Sequence, residues 1–387
     1  MRFLLRMMDR LRPAFHEGRL RLIRPAFDAM DFFLFSIPTR TEIAPHVRDP
    51  MNVKRYMSAV IIALFPCIAA SIYFFGWRIL SMIVVTYVVG LGIELLFAIA
   101  RKEEINEGFF VTGLLYPLIL PPTLPLWMVA VGIAFGVIVG KELFGGTGRN
   151  LFNPALVGRC FLLIGYPSAM SKQWTAPPTD WLGRLTTYAV DAVTTASPLA
   201  EAKHADYAQV WDLLAGNVAG SAGATCSLAI LAGGVFLLVT GVANWRTIAA
   251  ALVSFAIVTG VVVFAAPERF GLPGSPVMPV GPWSIRMGVE PWSAWLSSAA
   301  LLVGWHALAG GLLFGVIFMA TDPVTSPITK GGKWVYGAII GLATVLIRHF
   351  TPYVEGVMFA ILLGNIAAPI LDEVATRIYF RRLQNEG

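Results

Sequence analysis

Long apolar runs separated by short polar connections dominate the chain from residue 56 onward. Crossing the hydrocarbon layer of a membrane takes about 20 apolar residues in a helix. On that basis we predict ten spans, at residues 56–75, 79–100, 108–121, 125–143, 153–168, 223–242, 247–266, 299–320, 334–350 and 354–376. The third and fifth runs are short and contain proline or glycine, which indicates broken or re-entrant segments. The predicted fold class is an all-α polytopic membrane protein with about ten transmembrane helices.

A short internal echo suggests that the ten spans form two halves of five. Gly132-Ile-Ala-Phe-Gly-Val-Ile138 recurs as Gly311-Leu-Leu-Phe-Gly-Val-Ile317, and duplication is common in transporter folds. Both copies run in the same direction through the predicted topology, so they do not align as inverted repeat partners. Two five-helix repeats are therefore a hypothesis.

The composition agrees with a chain that lies in lipid. Of its 387 residues, 57% are hydrophobic and only 13% are charged, and the mean hydropathy is +0.70. A soluble domain carries about 25% charged residues. The net charge of +6 is spread over the N-terminal segment and short loops, so no nucleic-acid partner is expected. The three cysteines form no CxxC pair, and neither a disulfide framework nor a metal site is predicted.

Basic residues in the short loops set the predicted orientation, because loops rich in Lys and Arg stay on the cytoplasmic side. Both termini are therefore placed in the cytoplasm, in a bacterial inner membrane. The predicted organisation is a basic cytoplasmic segment at 1–54, a first half of five spans at 55–168, an exterior loop at 169–222, a second half at 223–376 with a further exterior loop at 267–298, and a cytoplasmic tail at 377–387.

Two loops and one histidine have simple structural interpretations. Ser197 followed by Pro198 and good helix formers is typical of a helix start capped by the serine hydroxyl. The loop Gly145-Gly-Thr-Gly-Arg-Asn150, which leads to Asn153, favours a tight turn and lacks the Gly-Lys-Ser/Thr of a P-loop. His306 is interpreted as a core histidine, because the sequence suggests neither a haem pocket nor an axial partner.

Three carboxylates lie within or beside predicted spans. Glu94 falls in the second span, Glu355 at the start of the tenth and Asp372 near its end. Ionisable residues at membrane depth are expensive and usually functional, and carboxylate oxygens suit a hard cation such as sodium. The alternative is that Glu94 and Asp372 lie at the cytoplasmic edge and form ion pairs with Arg101, Lys102 or Arg377.

Specific motifs follow one another from about residue 45 to the C-terminus. They are Pro45-His-Val-Arg-Asp49, Lys54-Arg55, Asn106-Glu-Gly-Phe-Phe110, Pro121-Pro-Thr-Leu-Pro-Leu-Trp127, Lys141-Glu-Leu-Phe-Gly-Gly-Thr-Gly-Arg-Asn150, Asn153-Pro-Ala-Leu156, Met319-Ala-Thr-Asp-Pro-Val324, Gly332-Lys-Trp-Val-Tyr-Gly337 and Pro369. In type and order they resemble the family of the B subunit of the sodium-pumping NADH:quinone oxidoreductase and the D subunit of the Rnf complex. The long basic N-terminal segment favours the sodium-pump subunit.

The resemblance implies a covalently bound flavin on the exterior loop 169–222. The segment Asp191-Ala-Val-Thr-Thr-Ala-Ser197 is similar to the family's flavinylation signature, in which Asp191 and Thr194 precede the acceptor. Ser197 stands where the family's threonine is joined through its hydroxyl to the phosphate of FMN. Thr195 replaces the usual glycine, which departs from the family pattern.

The resemblance also implies a second flavin, a non-covalent riboflavin on the cytoplasmic side. Asn150, Asn153 and Asp322 occupy the matching positions. Amide groups and a carboxylate suit the imide and carbonyl edges of an uncharged isoalloxazine. Because riboflavin has no phosphate, the glycines of the loop would serve close approach instead of anion binding.

The resemblance assigns further residues to quinone and ion handling. Gly90 and Glu94 match positions implicated in quinone binding and ion uptake, and Asp372 matches an acidic residue linked to sodium uptake. Glu355 is added to this path because of its predicted depth. No residue is assigned a catalytic role in bond chemistry.

The implied function is a translocase subunit that passes electrons from FMN through riboflavin to ubiquinone or menaquinone, coupled to Na+ movement. NADH oxidation is not expected in this chain, which lacks a dinucleotide-binding fingerprint. The implied partners are a periplasmic FMN subunit, an NADH-oxidising subunit with FAD and a 2Fe–2S cluster, small membrane subunits and a flavin transferase. The alternatives are an Rnf-type ferredoxin:NAD oxidoreductase subunit, a non-redox transporter or channel, and a scaffold subunit without flavin.

Overall fold

A computed structural model describes the chain at residues 13, 53–102, 108–171, 174–175, 188, 194–204, 206–270, 277–280, 283–286, 292–351, 353 and 355–386. The predicted flavinylation residue Asp191 and almost all of the basic segment 1–54 lie outside these residues. Ser197 and the other candidate site residues lie within them.

The first half contains the first five predicted spans, each of which is a helix. They are α1 (Val53–Phe75), α2 (Arg78–Arg101), α3 (Gly108–Leu118), α4 (Leu126–Gly140) and α5 (Pro154–Gly165). A 3-10 turn at Glu142–Phe144 follows α4, and the short helix α6 (Pro167–Ser171) follows α5. The predicted short spans are the shortest of the five helices, with 11 residues in α3 and 12 in α5.

The connection to the second half contains small elements. Strand β1 (Trp174–Thr175) pairs antiparallel with β2 (Thr194–Thr195), and the helices α7 (Pro198–Ala202) and α8 (Val210–Ala215) follow. Trp174 is opposite Thr195 in this ribbon.

The second half again places a helix at each predicted span. Its elements are α9 (Ser227–Val239), α10 (Trp245–Ala265), a 3-10 turn (Pro267–Phe270), the hairpin of β3 (Val277–Val280) and β4 (Trp283–Arg286), α11 (Trp292–Leu308), α12 (Leu312–Phe314), a π-helix (Gly315–Met319), α13 (Lys330–Phe350) and α14 (Val357–Glu386).

Five of these helices are long and apolar enough to cross a membrane. They cover Arg55–Phe75, Arg78–Arg101, Leu126–Phe144, Trp245–Val263 and Val357–Arg381. A sixth span forms if Ala300–Leu308 and Leu312–Met319, which are bent by 70°, are counted together. The all-α polytopic class is therefore confirmed, while the total of ten spans stays a prediction.

The two copies of the internal echo adopt different structures. Residues 132–138 form a regular part of α4, whereas residues 311–317 follow a break at Gly310, whose φ is +69°, and pass into the π-helix. The echo therefore gives no structural support to the two-repeat hypothesis.

Short helix α3 ends inside the protein, and a distant loop satisfies its last carbonyl groups. The backbone N–H of Gly223 donates to Leu118 O at 2.7 Å, and that of Ala222 donates to Leu120 O at 3.0 Å. Non-helical backbone at membrane depth requires such internal partners, because lipid offers none. The tract Gly223-Ala-Thr225 therefore closes α3, and α9 begins only at Ser227.

Glycines bring several helix pairs into backbone contact. A methyl group on Gly337 of α13 would lie 2.5 Å from the carbonyl oxygen of Thr247 in α10, and one on Gly158 of α5 would lie 2.5 Å from that of Gly132 in α4. Small residues at helix interfaces permit this close approach in membranes. They fix α4 against α5 and α10 against α13.

Candidate functional site

One cavity lies at the end of the bundle where α1, α3 and α5 begin and α4 ends. It encloses about 690 Å³ of space, and we call it the Asp322 cavity. Its polar wall consists of Tyr56, Thr112, Lys141, Thr147, Asn150, Asn153, Thr321 and Asp322. The structure therefore brings together the three residues that the sequence assigns to riboflavin.

The two asparagines are held by local backbone contacts. Asn153 caps α5, and its Oδ1 accepts a hydrogen bond from Ala155 N at 3.0 Å. Asn150 accepts from Gly148 N at 3.2 Å and donates from Nδ2 to Phe152 O at 3.0 Å. The glycine-rich loop that leads to them has φ of +103° at Gly145 and +88° at Gly148. Glycine adopts this backbone readily, so its role here is to shape the turn.

Asp322 lies three positions after the last residue of the π-helix, Met319, and local contacts hold it as well. Its Oδ1 accepts from Val324 N at 3.3 Å, and its Oδ2 accepts from the Thr325 hydroxyl at 3.0 Å. Burial raises the pKa of the Asp322 carboxyl above its usual value, although the hydrogen bonds from Thr325 and Val324 act in the opposite direction. The carboxyl oxygens of Asp322 can accept hydrogen bonds from a ligand edge.

Lys141 is the only Lys, Arg or His among the described residues that line this cavity. Its ammonium forms an ion pair with Glu94 of α2, and the two side chains are only 6% and 4% exposed. The neighbouring Glu142 pairs separately with Arg101 at 2.8 Å. The prediction that Glu94 pairs with Arg101 or Lys102 was therefore wrong, because the chain turn after α4 brings Lys141 closer.

Gly90 lies one helical turn before Glu94 and makes room for an aromatic ring. A methyl group at Gly90 would overlap the buried ring of Phe109 in α3. The Lys141 Nζ lies 5.9 Å from the centre of the same ring. Gly90 thus leaves room for an aromatic ring that lies near the Lys141 ammonium.

A second cavity surrounds Ser197 and encloses about 350 Å³; we call it the Ser197 cavity. Its polar wall includes Ser197, Ser221, Thr225 and Glu355. Ser197 precedes α7, with Pro198 at the first helical position, but its hydroxyl makes no capping hydrogen bond. The prediction is therefore correct that Ser197 occupies the capping position of a helix. It is wrong that the Ser197 hydroxyl forms the capping hydrogen bond.

Two buried arginines lie next to residues that line the Ser197 cavity. Glu355 forms an ion pair with Arg159 of α5, and their side chains are 9% and 4% exposed. Arg348 of α13 donates to His306 O at 2.7 Å and to Ala309 O at 3.3 Å. His306 is buried among aromatic rings, which fits its interpretation as a core residue. Within the described ranges no cluster of three metal-ligating side chains occurs.

The two cavities lie near opposite ends of α1. Tyr56 lines the Asp322 cavity. The ring of Phe74 contacts Gly216, in the segment between Leu213 and Val218 that lines the Ser197 cavity. The 18 residues from Tyr56 to Phe74 correspond to about 27 Å of helix at about 1.5 Å per residue. The cavities are therefore separated by about the thickness of the hydrocarbon layer.

Asp372 lies in neither cavity wall and has a structural role. Its carboxylate accepts hydrogen bonds from Ile328 N at 2.7 Å and Thr329 N at 2.9 Å. Thr329 in turn caps α13, since its hydroxyl accepts from Gly332 N at 3.1 Å. Arg377, the predicted partner of Asp372, pairs with Glu373 instead. The prediction of an Asp372–Arg377 pair was wrong, because the loop before α13 supplies closer donors.

Sequence reasoning missed several polar residues of these sites, among them Lys141, Arg159 and Ser221. Lys141 lies in the quoted motif Lys141-Glu-Leu-Phe, which gave the only signal. Arg159 is a charged residue inside the fifth apolar run, and this depth alone marks it as a candidate. Ser221 shows no sequence signal, although its buried hydroxyl has no hydrogen-bond partner among the described residues.

The fold and the two cavities define a polytopic membrane protein with polar sites near both membrane faces. The sequence model of the NQR2, RnfD, RnfE family matches residues 40–381. The chain therefore belongs to the NQR2, RnfD, RnfE family. Its relatives include proteins from three bacteria that are named as the B subunit of the Na(+)-translocating NADH-quinone reductase. Identity is 36% in Chromohalobacter salexigens (97% of this chain, 94% of the relative), 37% in Azotobacter vinelandii (97% and 97%) and 35% in Klebsiella pneumoniae (98% and 99%).

Proposed function

We propose that this chain is the membrane subunit of a sodium-translocating NADH:quinone oxidoreductase. In this proposal it passes electrons from FMN on Ser197 to riboflavin in the Asp322 cavity and on to ubiquinone or menaquinone. The relatives that carry this name match along nearly the whole chain. The observation that carries the proposal is that Asn150 and Asn153 line one cavity together with Asp322, which is distant from both in sequence.

The Asp322 cavity fits an uncharged flavin. Its wall combines apolar side chains with a few polar groups, as is typical of small-molecule sites. Amides, hydroxyls and one carboxyl can pair with the carbonyl and imide groups of an isoalloxazine. When bound, the flavin would supply the electron-transfer chemistry, and the chain's residues would orient it and tune its potential.

The surroundings of Ser197 are compatible with a phosphoester bond. The Ser197 hydroxyl makes no capping hydrogen bond at the start of α7. Ser197 is only 6% exposed. Thr195, which replaces a glycine of the family signature, lies in β2 opposite Trp174. Threonine is favoured in extended strands, so this departure does not require a strained backbone. Thr194 lies in the same strand and Asp191 outside the described residues.

The remaining assignments follow from the proposed function. Gly90, Glu94, Glu355 and Asp372 would belong to the path of quinone and Na+, with Asp372 acting through the loop that it holds. The partners would be the flavin- and NADH-binding subunits, the small membrane subunits and a flavin transferase. The complex would lie in the bacterial inner membrane, with both termini of this chain in the cytoplasm.

Covalent flavin provides the direct test. The chain is co-expressed with a flavin transferase, denatured, separated on a gel and illuminated. We expect a fluorescent band that is lost in Ser197→Ala and retained in Ser221→Ala, a serine of the same cavity. A dark wild-type band, with the transferase shown to be active on another acceptor, would refute covalent flavin on this chain.

Sodium and flavin content separate the proposal from its alternatives. Quinone reduction by the assembled complex should rise with Na+, whereas indifference to Na+ would favour an Rnf-type or proton-coupled subunit. A channel or a scaffold without flavin would purify colourless.

A further inference from the structure

Lys141 contacts two functional regions at once. Lys141 lines the Asp322 cavity, where it is the only cation among the described lining residues, and its ammonium pairs with Glu94, which is not one of the lining residues. The ion pair is almost completely buried, and the ring of Phe109 lies 5.9 Å from the ammonium. An ammonium has three N–H donors, so Lys141 can serve Glu94 and a ligand in the cavity.

In the described part of the chain, Lys141 is the cation that forms an ion pair with Glu94. The nearby guanidinium of Arg101 is held by Glu142 at 2.8 Å and does not pair with Glu94. A buried carboxylate that loses its only partner is strongly disfavoured. If Lys141 turns away from Glu94, either another cation or a proton must therefore neutralise the carboxylate, and a measurement of bound Na+ distinguishes the two.

We propose that Lys141 is a positioning residue that couples the charge of the cavity's ligand to cation uptake at Glu94. This inference rests on the proposed function, with riboflavin as the ligand. One electron that reached a flavin held in this cavity would add one negative charge there. The Lys141 ammonium would then turn toward that charge, and one Na+ would enter beside Glu94. The added charges would balance, and oxidation of the flavin by quinone would reverse the exchange.

The first test measures the flavin itself in the purified complex. The midpoint potential of the non-covalent flavin is determined by spectroelectrochemistry in wild type, Lys141→Met and Lys141→Arg. We expect Lys141→Met to lower the equilibrium constant for one-electron reduction at least tenfold, which corresponds to about 59 mV. Lys141→Arg keeps the charge and should stay close to wild type. A purely structural role would leave the potential of the bound flavin unchanged.

The second test measures sodium without turnover. Binding of radioactive Na+ is determined by dialysis on complexes poised electrochemically in the oxidised and reduced states. Wild type should hold one more Na+ when it is reduced. Glu94→Gln should lose this additional ion, and Lys141→Met should bind it in both states. A redox-dependent difference that survives in either variant would overturn the coupling.

A double variant keeps the inference testable if Lys141→Met misfolds. If Lys141→Met fails to assemble, Lys141→Met/Glu94→Gln removes both charges and avoids an unpaired buried group. This variant should still show a lowered flavin potential and no redox-dependent Na+ binding. If its potential equals that of wild type, the inference is wrong.

Flavin extraction separates this inference from the proposed function. Acid denaturation of the wild-type complex should release riboflavin. If none is released, the proposed function fails at the Asp322 cavity. If riboflavin is released but its potential ignores Lys141, only the coupling fails.

Discussion

The buried pair of Arg159 and Glu355 joins residues that lie 196 positions apart in the two halves of the chain. Its side chains are 4% and 9% exposed, so neither charge has water to replace its partner. Removal of one member of such a pair costs about 3–5 kcal/mol, because it leaves an unpaired buried charge. Replacement of both by apolar residues of similar volume is often neutral. We therefore expect Arg159→Met and Glu355→Leu each to destabilise the protein by about 3 kcal/mol or more, and the double variant to recover most of this loss.

A double-mutant cycle in detergent measures this coupling from unfolding free energies. The matched control is the pair of Arg377 and Glu373, which lies one helical turn apart on α14 with side chains 74% and 61% exposed. For that pair we expect a coupling of about 0.5 kcal/mol or less. If the effects of Arg159→Met and Glu355→Leu simply add, the two charges do not stabilise each other and the reasoning is refuted.

Three further substitutions test the helix packing and the proposed flavin cavity. In Gly341→Ala the new methyl would lie 2.7 Å from Phe255 N, so overpacking should cost about 1–3 kcal/mol and lower the thermal midpoint. Gly260→Ala on the facing helix α10 has no heavy atom within 4 Å and should gain up to about 1 kcal/mol; equal effects of the two would contradict the packing. Asp322→Ala should weaken riboflavin binding about tenfold through the loss of about 1.4 kcal/mol of hydrogen bonding. An unchanged ratio of riboflavin to covalent FMN would exclude Asp322 from the site.

Local sequence patterns predict the helices and the loop that holds the candidate flavin residues. Each apolar run coincides with a helix, because burial in lipid requires a continuous apolar segment whose backbone bonds are internal. Asn153 followed by Pro154 signals the start of α5, where the asparagine is the cap. The glycines at 145–148 adopt positive φ, in agreement with the predicted turn.

The ion pairs could not be predicted, because they depend on the three-dimensional packing. Lys141 and Glu94 are 47 positions apart, and several other basic residues lie closer to Glu94 or Asp372 along the chain. Proximity in sequence therefore pointed to Arg101, Lys102 and Arg377, whereas the turn after α4 and the loop before α13 supply the real partners. The hydrogen bonding of the Ser197 hydroxyl likewise could not be predicted, since a residue at the capping position does not always form a capping hydrogen bond.

The backbone contacts between α10 and α13 limit how the second half can move. With Gly337 against Thr247 and Gly341 against Ala251, the two helices touch without an intervening layer of side chains. Closely packed interfaces deform in discrete steps and not continuously. Sliding one helix past the other would push side chains of neighbouring turns into the backbone of the partner helix. The two helices therefore move together as one rigid unit. A path through this half of the protein would then be opened by rotating side chains and by loops around the helix pair.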